Sequence, residues 1–450
     1  MDAWAQAGRT ALLRSAMREA ATHFDQAIEL VTQLPSTVER KRREMALSGQ
    51  LSVALGSTLG LASQDAERAQ LRALELAAEI GDTEDRFRAQ WGRWRVYNGR
   101  ARLDRALQLA EELHVLAGRL KGSEYALQAL HALWSTSLLR GEFCRTLEVV
   151  QQGRSLYQPE HHGPLAFAYG GHDAGECCLS LGGNALWFLG HPEQAQRWHE
   201  EALALAMRLG HPQIICHAYN WTAVRLQLAG EVEALRAHVE VMSRLAKEHA
   251  FANWYPEAKI LEGWIAATRD RDRHALALIR EGLGERTATG TLFAQTYLMA
   301  VLADACLATG EAAEAQAVAG KALTQVRLTG EHLCEAELHR LRGRALLAQD
   351  RGRVPEAEAA LLDALRAARA RSARTSELRT ATSLAQLWAE RGRRTEARDL
   401  LAPIHGWFTE GLDTPDLREA RALLDELASA PHGSGARPRR RPAAPVNNPG

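Results

Sequence analysis

A repeat of about forty residues runs through this chain of 450 residues and constrains its fold more than any other feature. Its template is an alanine, a larger packing residue four positions later, and a small or apolar residue three positions after that, as in Ala20, Phe24 and Ala27. Ten copies begin at Ala20, Ala66, Ala106, Thr146, Ala195, Ala234, Ala275, Ala315, Ala357 and Ala397. Successive copies lie 39 to 49 residues apart, a spacing typical of a unit that stacks on copies of itself.

Small residues and glycines at fixed offsets indicate that each unit holds two antiparallel helices. The residue twelve positions before the first residue of the template is small in eight of the ten copies; the exceptions are Trp94 and Trp134. Small residues let two helix axes approach closely. Five residues before the start, five copies carry a glycine: Gly141, Gly190, Gly310, Gly352 and Gly392. Because glycine accepts the left-handed backbone of a helix C-cap, the unit is predicted to be helix, turn, helix.

Stacked helix pairs predict the fold class. One pair cannot bury its apolar face alone, so each pair packs on the next and the array winds into a superhelix. We expect an all-α, right-handed superhelical solenoid of about ten TPR-like (tetratricopeptide-repeat-like) helix pairs over residues 1–428. An insertion rich in Gly, Pro and His interrupts the period at residues 157–175. Residues 429–450 are Pro-rich and basic, and we expect them to form a disordered tail.

Composition and charge exclude several classes of protein. No uncharged apolar stretch approaches the length of a membrane span, and the first residues do not resemble a secretory signal. The six scattered cysteines are a poor disulfide framework, so a cytoplasmic protein is expected. Lys and Arg together number 55, as do Asp and Glu, which gives no bulk attraction to nucleic acid. The basic run at residues 437–441 lacks interleaved aromatics, so a nucleic-acid partner is not expected.

The spacing of the template is similar to the tetratricopeptide repeat, although that unit has only about 34 residues. Longer segments resemble the TPR-like C-terminal region of large predicted bacterial ATPases, which are often fused to a class III adenylate/guanylate cyclase domain. This resemblance covers about residues 1–428. The segments that carry it include HHGPLAFAYGGHDAGECCLS, ALWFLGHPEQA, EALALAMRLGHP, GEHLCEAELHRLRGRALLA and LLAPIHGWFTEGLDTPDLREARALLDELA. It implies a sensing or scaffolding module that binds a protein or peptide, such as an ATPase or cyclase domain encoded nearby.

The catalytic motifs of that family are missing. No G-x-x-x-x-G-K-[ST] loop occurs, and Gly320-Lys321-Ala322 lies inside a predicted repeat helix, where no phosphate cradle forms. No region has the βαβ pattern of a cyclase domain. We therefore predict a protein that is not an enzyme and needs no cofactor. Two alternatives remain open: a fragment of, or direct participant in, a cyclase or ATPase, and the effector-binding domain of a transcriptional regulator, although neither end shows a helix-turn-helix.

Candidate binding residues follow from the resemblance to tetratricopeptide repeats, in which the first helix of each unit lines the concave groove. Trp, Tyr and Arg are the residues that most often anchor protein interfaces. Large aromatics that fill gaps between repeats are the alternative interpretation. The groove positions carried over by register are Arg88, Trp91, Arg95, Gln128, His131, Asn184, Trp187, Tyr219, Trp264, Tyr297, Asp304, His339, Arg342 and Arg379.

The insertion carries a second group of candidates, all within eighteen residues. They are His161, His162, His172, Asp173, Glu176, Cys177 and Cys178. These residue types ligate soft and borderline metals. However, no pair has zinc-finger or H-E-x-x-H spacing, and adjacent cysteines point to different faces of a helix. A structured loop that caps one helix pair is therefore favoured over a metal site, and the family resemblance suggests a structural role or a ligand contact here.

Overall fold

The structure is a computed structural model that describes residues 1–429, and within that range it contains twenty-two α-helices, one 3₁₀ helix (Gly163–Leu165) and no strand. The predicted all-α solenoid is confirmed. The tail predicted from residue 429 lies outside the described residues, except for Ser429. The helices are α1 (Asp2–Leu13), α2 (Met17–Thr32), α3 (Val38–Leu59), α4 (Gln64–Ile80), α5 (Thr83–Gly99), α6 (Leu103–Ala117), α7 (Ser123–Leu139), α8 (Phe143–Leu156), α9 (Pro159–His162), α10 (Ala174–Phe188), α11 (Pro192–Leu209), α12 (Pro212–Ala229), α13 (Val232–Glu248), α14 (Trp254–Arg269), α15 (Ala275–Ala288), α16 (Gln295–Ala308), α17 (Ala312–Thr329), α18 (Glu335–Gln349), α19 (Val354–Ala370), α20 (Arg374–Glu390), α21 (Arg394–His405) and α22 (Pro415–Ala428).

Twenty of these helices form ten successive pairs, which we call units 1 to 10. The pairs are α1/α2, α3/α4, α5/α6, α7/α8, α10/α11, α12/α13, α14/α15, α16/α17, α18/α19 and α20/α21. The short helix α9 belongs to the insertion, and α22 packs on the last pair. No helix within residues 1–429 is long and apolar enough to cross a membrane.

Each unit is held by a close approach between its two helices. A Cβ at Gly8 would lie 2.6 Å from the Phe24 ring, so the small position on the first helix faces the packing residue on the second. Unit 4 reverses the sizes: Trp134 occupies the small position and is fully buried, and Gly153 faces it. A Cβ at Gly153 would lie 2.5 Å from Trp134 Cζ3. The tryptophan that departs from the template is therefore accommodated by a glycine on its partner helix.

The predicted repeat start in unit 6 was wrong by one residue. Ala234 is exposed, whereas Leu235, Val239 and Met242 are buried against the neighbouring helices. With Leu235 as the start, the intervals to the copies on both sides become 40 residues. Gly230 then takes the turn position, where its φ is 71°. The alanine was chosen by residue type, but burial sets the register.

The glycine turns follow the prediction at four of the five positions. Gly141, Gly190, Gly310 and Gly392 have φ between 69° and 91°, the left-handed region that glycine tolerates. Gly352 does not enter that region. Its backbone N–H donates to Asp350 Oδ1 at 2.7 Å, so this turn is closed by a side chain.

The superhelix completes one turn in five units, and its second turn stacks directly on the first. Backbone hydrogen bonds join the two turns. The donors are amides in the connectors just before the first helices of units 7, 8 and 9. The acceptors are carbonyls at the C-terminal ends of the first helices of units 2, 3 and 4, which have no partner within their own helix. The backbone pairs are Ala252 N with Ser57 O (2.9 Å), Leu292 N with Gly99 O (2.8 Å) and Leu333 N with Leu139 O (3.1 Å).

Side chains extend this line of contacts, which we call the inter-turn seam, to both ends of the array. His211 Nε2 bonds the Leu12 carbonyl at 2.9 Å, and Thr375 Oγ1 donates to the Trp187 carbonyl. Within the second turn, Arg379 Nη1 donates to the Leu228 carbonyl at 2.7 Å and so joins units 10 and 6. Units 1 to 5 thus form one turn and units 6 to 10 the next.

The insertion enters the interior of this closed superhelix, whereas the sequence suggested a loop that caps one helix pair. Tyr169 packs edge-on against Trp91 of α5, with ring centroids 5.3 Å apart. Phe167 contacts the His211 ring beside α12. Gly170 has a φ of 90°, and a Cβ there would lie 2.8 Å from Trp91 Cη2. The insertion therefore covers the inner side of α5 and the start of α12. Every residue of α10 is buried, because α10 packs against α7, α8, α11 and α12.

Candidate functional site

Two spaces remain inside the superhelix beside the insertion. The outer pocket, about 650 Å³, lies between α3, α5 and the insertion, with Arg42, Arg88 and Tyr169 among its lining residues. The inner chamber, about 80 Å³, is enclosed by residues of α5, α7, α10, α12, α14 and α15. Trp91 and Arg95 of α5 line both spaces. A ligand that reached Arg95 from outside would therefore contact the insertion as well.

The structure brings together four of the predicted groove residues. Arg88, Trp91 and Arg95 line the outer pocket, and Trp91, Arg95 and His131 line the inner chamber. Gln128 lies directly behind this group, because its Oε1 is 3.1 Å from His131 Nδ1. All four come from α5 and α7, the first helices of units 3 and 4.

The remaining predicted groove residues lie away from both spaces. Trp264 Nε1 donates to Asp304 Oδ2 at 2.9 Å, which links units 7 and 8. Asn184 Nδ2 donates to the carbonyls of Ser180 and Trp221. Three others are also placed by their surroundings. Tyr297 is buried in the core, Trp187 belongs to the inter-turn seam, and Arg379 joins units 10 and 6. Partly buried positions on α12 and α18 are occupied by Tyr219, His339 and Arg342.

Arg95 is a buried cation without a carboxylate partner. Only 8% of the residue is exposed, Nη2 donates to Ser52 O and Oγ at 3.1 and 3.0 Å, and Nη1 has no hydrogen-bond partner. Burial lowers the pKa of Arg95 to about 10. A Cβ at Gly56 would lie 3.1 Å from Nη1, so the glycine leaves room for the guanidinium. A charge held in this way is stabilised when an anion binds beside it.

The other buried arginines of residues 1–429 all have an acidic partner. Arg286 pairs with Glu257 on the wall of the inner chamber. Arg340 Nη2 is 2.6 Å from Glu337 Oε1, and Arg225 Nη1 is 2.7 Å from Glu231 Oε1. The contrast marks Arg95 as the position where an external anion would supply a missing charge. The sequence placed Arg95 on the groove, but the absence of a counter-ion depends on contacts between units and has no signal in the sequence.

Three histidines, His131, His172 and His217, line the inner chamber, and Glu176 lies behind His217. His217 Nδ1 is 2.7 Å from Glu176 Oε2, and Trp221 Nε1 donates to His217 Nε2 at 3.2 Å. Since Trp221 can only donate, the proton of His217 is on Nδ1. The His172 ring stacks on His217 with centroids 4.4 Å apart, and its Nε2 is 3.1 Å from His131 Nε2. Burial lowers the pKa of all three histidines, that of His217 to about 3, so they are neutral.

Comparisons with known proteins agree with this fold. No protein-family model matches the chain. The uncharacterized protein R02095 of Rhizobium meliloti (strain 1021) is 26% identical over 339 residues, which are 75% of this chain and 33% of that protein. The chain therefore spans about a third of the length of this relative.

Solved structures of similar fold cover nearly the whole chain. The Rap protein complexed with competence and sporulation factor has a TM-score of 0.50 and 10% identity, with 95% of this chain and 98% of that one covered. Human IFIT1, solved as a dimer with PPP-AAAA, has a TM-score of 0.45 and 14% identity, with 93% and 88% covered. A signal-transduction ATPase with a tetratricopeptide repeat sensor from Pyrococcus horikoshii has a TM-score of 0.38 and 12% identity, with 81% and 54% covered. The likeness to the Rap protein shows that this chain has a TPR-like helical solenoid fold.

Proposed function

We propose that this protein is a non-catalytic binding module of a bacterial signalling system, working in the cytoplasm, that takes a peptide or protein segment into its outer pocket. The observation that carries the proposal is Arg95, a buried and uncompensated cation at the inner end of that pocket. A carboxylate of the ligand, from an acidic side chain or from a C-terminus, pairs with this guanidinium.

The shape and lining of the outer pocket support a peptide ligand. Its volume of about 650 Å³ lies within the range of ordinary ligand pockets, about 300–1,000 Å³. Trp91 and Tyr169 supply aromatic walls beside Arg95, and Trp91 is held in place because its Nε1 donates to the Gln128 carbonyl at 3.1 Å. At the rim, Arg42 is already paired with Asp85 at 3.1 Å. An apolar residue next to the anchoring carboxylate would pack on the two aromatic rings.

The signalling role rests on the family resemblance of the sequence and on the longer relative. In the Rhizobium protein the similar segment is part of a chain about three times as long. We propose that the partner is an ATPase or cyclase domain, either attached or encoded nearby, and that ligand binding changes its state. The insertion connects the two events, because it lines the outer pocket and also packs on first helices of both superhelical turns.

A peptide library tests the proposal. Short random peptides with a free C-terminal carboxylate, and the same peptides amidated, are passed over the immobilised full chain and over Arg95→Met. We expect acidic or free-carboxylate peptides to be enriched on the wild type and to bind about tenfold to a hundredfold more weakly to Arg95→Met, the range of a charge-assisted hydrogen bond. The matched control is Arg86→Met, because Arg86 is an exposed arginine of α5 that does not line the outer pocket. Equal retention of amidated neutral peptides, or unchanged binding by Arg95→Met, would refute the proposal. The purified chain should also release no product from ATP or GTP with Mg²⁺.

A further inference from the structure

The inner chamber contains a group of metal-ligand atoms that the fold assembles from three separate elements. His131 lies on α7, His172 lies near the end of the insertion, and Cys177 lies in the first turn of α10. One ligand atom from each of these residues lies within 4.8 Å of the other two. The two imidazole Nε2 atoms are 3.1 Å apart. We propose that His131, His172 and Cys177 bind one transition-metal ion of the Zn²⁺ class.

The distances are close to those of a tetrahedral zinc site. Zn–N bonds of about 2.0–2.1 Å and Zn–S bonds of about 2.3 Å place ligand atoms roughly 3.3–3.6 Å from one another. The observed spread, from 3.1 Å to at most 4.8 Å, brackets these values. Small rotations of the side chains are therefore enough to close the site around an ion, and no helix has to move.

The groups around the three residues also fit a metal site. Gln128 Oε1 lies 3.1 Å from His131 Nδ1. An oxygen acceptor on the far side of this imidazole orients the ring and increases its basicity toward a metal. Trp134 Nε1 donates to Cys177 Sγ at 3.4 Å, so the sulfur accepts a hydrogen bond as a metal-bound thiolate does.

The third histidine of the chamber is excluded from the ligand set. His217 donates from Nδ1 to Glu176 and accepts from Trp221 at Nε2, so neither nitrogen is available. The fourth coordination position therefore faces the chamber, where a water or an anion completes the tetrahedron. A thiolate leaves Zn²⁺ with one net positive charge beside Arg95, which favours an anion at this position. The ion would tie α7, the insertion and α10 together and hold the insertion inside the superhelix.

Cobalt titration of the metal-free full chain tests the site. Co²⁺ added to chelator-treated protein should bind in one equivalent and give a thiolate-to-cobalt charge-transfer band together with the intense ligand-field absorption of tetrahedral Co²⁺. Cys177→Ser should lose the charge-transfer band, and His172→Gln should weaken binding by at least a hundredfold. The matched controls are Cys178→Ser, whose Sγ contacts the Val150 carbonyl, and His162→Gln, whose ring contacts Ser123. Both controls should bind like the wild type.

Two further variants keep the proposal falsifiable if the ligand variants fold poorly. Gln128→Leu retains all three ligands and should weaken binding by about 10- to 100-fold. Arg95→Met should still bind one equivalent, because the metal site does not depend on the peptide site. Failure of the wild type to bind Co²⁺ or Zn²⁺ would overturn the proposal, as would a charge-transfer band that survives in Cys177→Ser. Either result would leave the two imidazoles as an ordinary hydrogen-bonded pair.

Discussion

Replacing Arg95 by methionine should stabilise the protein that has no ligand bound, although the same change removes the proposed ligand anchor. Burial lowers the pKa of Arg95 from its ordinary value of 12.5 to about 10. At 1.36 kcal/mol per pKa unit, the charged side chain costs the folded state about 3 kcal/mol. The cost applies in full at neutral pH, below both values, and falls only as the pH rises from about 10 toward 12.5.

The hydrogen bonds to Ser52 offset part of this cost. Arg95 Nη2 makes two of them, each worth about 0.5–1.5 kcal/mol, so their loss removes about 1–3 kcal/mol. A methionine of similar length fills the space of the arginine stem. We therefore expect Arg95→Met to raise the free energy of unfolding by up to about 2 kcal/mol, in line with the effect of replacing other buried charges by apolar residues.

Urea denaturation followed by circular dichroism measures this effect, with Arg340→Met as the matched control. Arg340 is similarly buried but forms an ion pair with Glu337. Burial alone would raise the pKa of Glu337, but the neighbouring guanidinium groups lower it to about 2. Arg340→Met should destabilise the protein by about 3 kcal/mol, because it removes the main partner of a buried carboxylate and leaves only Arg379 Nη2, 3.5 Å away. If both variants lower the urea midpoint by similar amounts, Arg95 has a counter-charge and the reasoning fails.

Three other perturbations test the packing of the units, a buried carboxyl and the seam. Gly153→Ala should lower the free energy of unfolding, measured by urea denaturation, by about 1–3 kcal/mol, because the added Cβ would meet the Trp134 ring. The control is Gly320→Ala, in open space on α17, which should be neutral or stabilising by up to about 1 kcal/mol. Equal effects of the two changes would contradict the packing. Burial raises the pKa of Glu331 to about 7, so its contribution to stability is complete below pH 4.5 and is lost as the pH rises to about 7. Glu331→Gln should flatten the midpoint-against-pH curve in that window, and an unchanged slope would contradict the assignment. Thr375→Val removes the hydrogen bond to the Trp187 carbonyl, so it should lower the free energy of unfolding by about 1 kcal/mol and speed hydrogen exchange of α20. Unchanged exchange would show that this part of the seam is open.

The sequence predicts the units well because the rule that makes a unit is local. A small residue on one helix and a packing residue on the next are set within sixteen positions, as for Gly8 and Phe24. The error at Ala234 arose because residue type was matched without knowledge of burial. Contacts five units apart, such as Ala252 with Ser57, depend on the small rotation between successive units, which accumulates over the array and leaves no pattern in the residues.

The candidate site was predicted only in part, for the same reason. Arg95 and His131 were placed on first helices by register, and His172 and Cys177 were recognised as possible ligands. The two groups were assigned to different surfaces, because the sequence does not show that the insertion folds inward. His131 lies within 3.1 Å of His172 because α7 and α10 pack as first helices of neighbouring units and the insertion before α10 turns inward.

Residue-resolved hydrogen exchange of the full chain tests most directly the claim that the superhelix closes on itself. The amides of Ala252, Leu292 and Leu333 lie in connectors of the second turn, outside the helices, and bond carbonyls of the first turn. They should exchange as slowly as the helix amides around them, whereas the amide of Lys121, in an exposed connector of the first turn, should exchange rapidly. Rapid exchange at all four positions would show that the two turns do not stack, and would remove the inner chamber, which residues of both turns enclose.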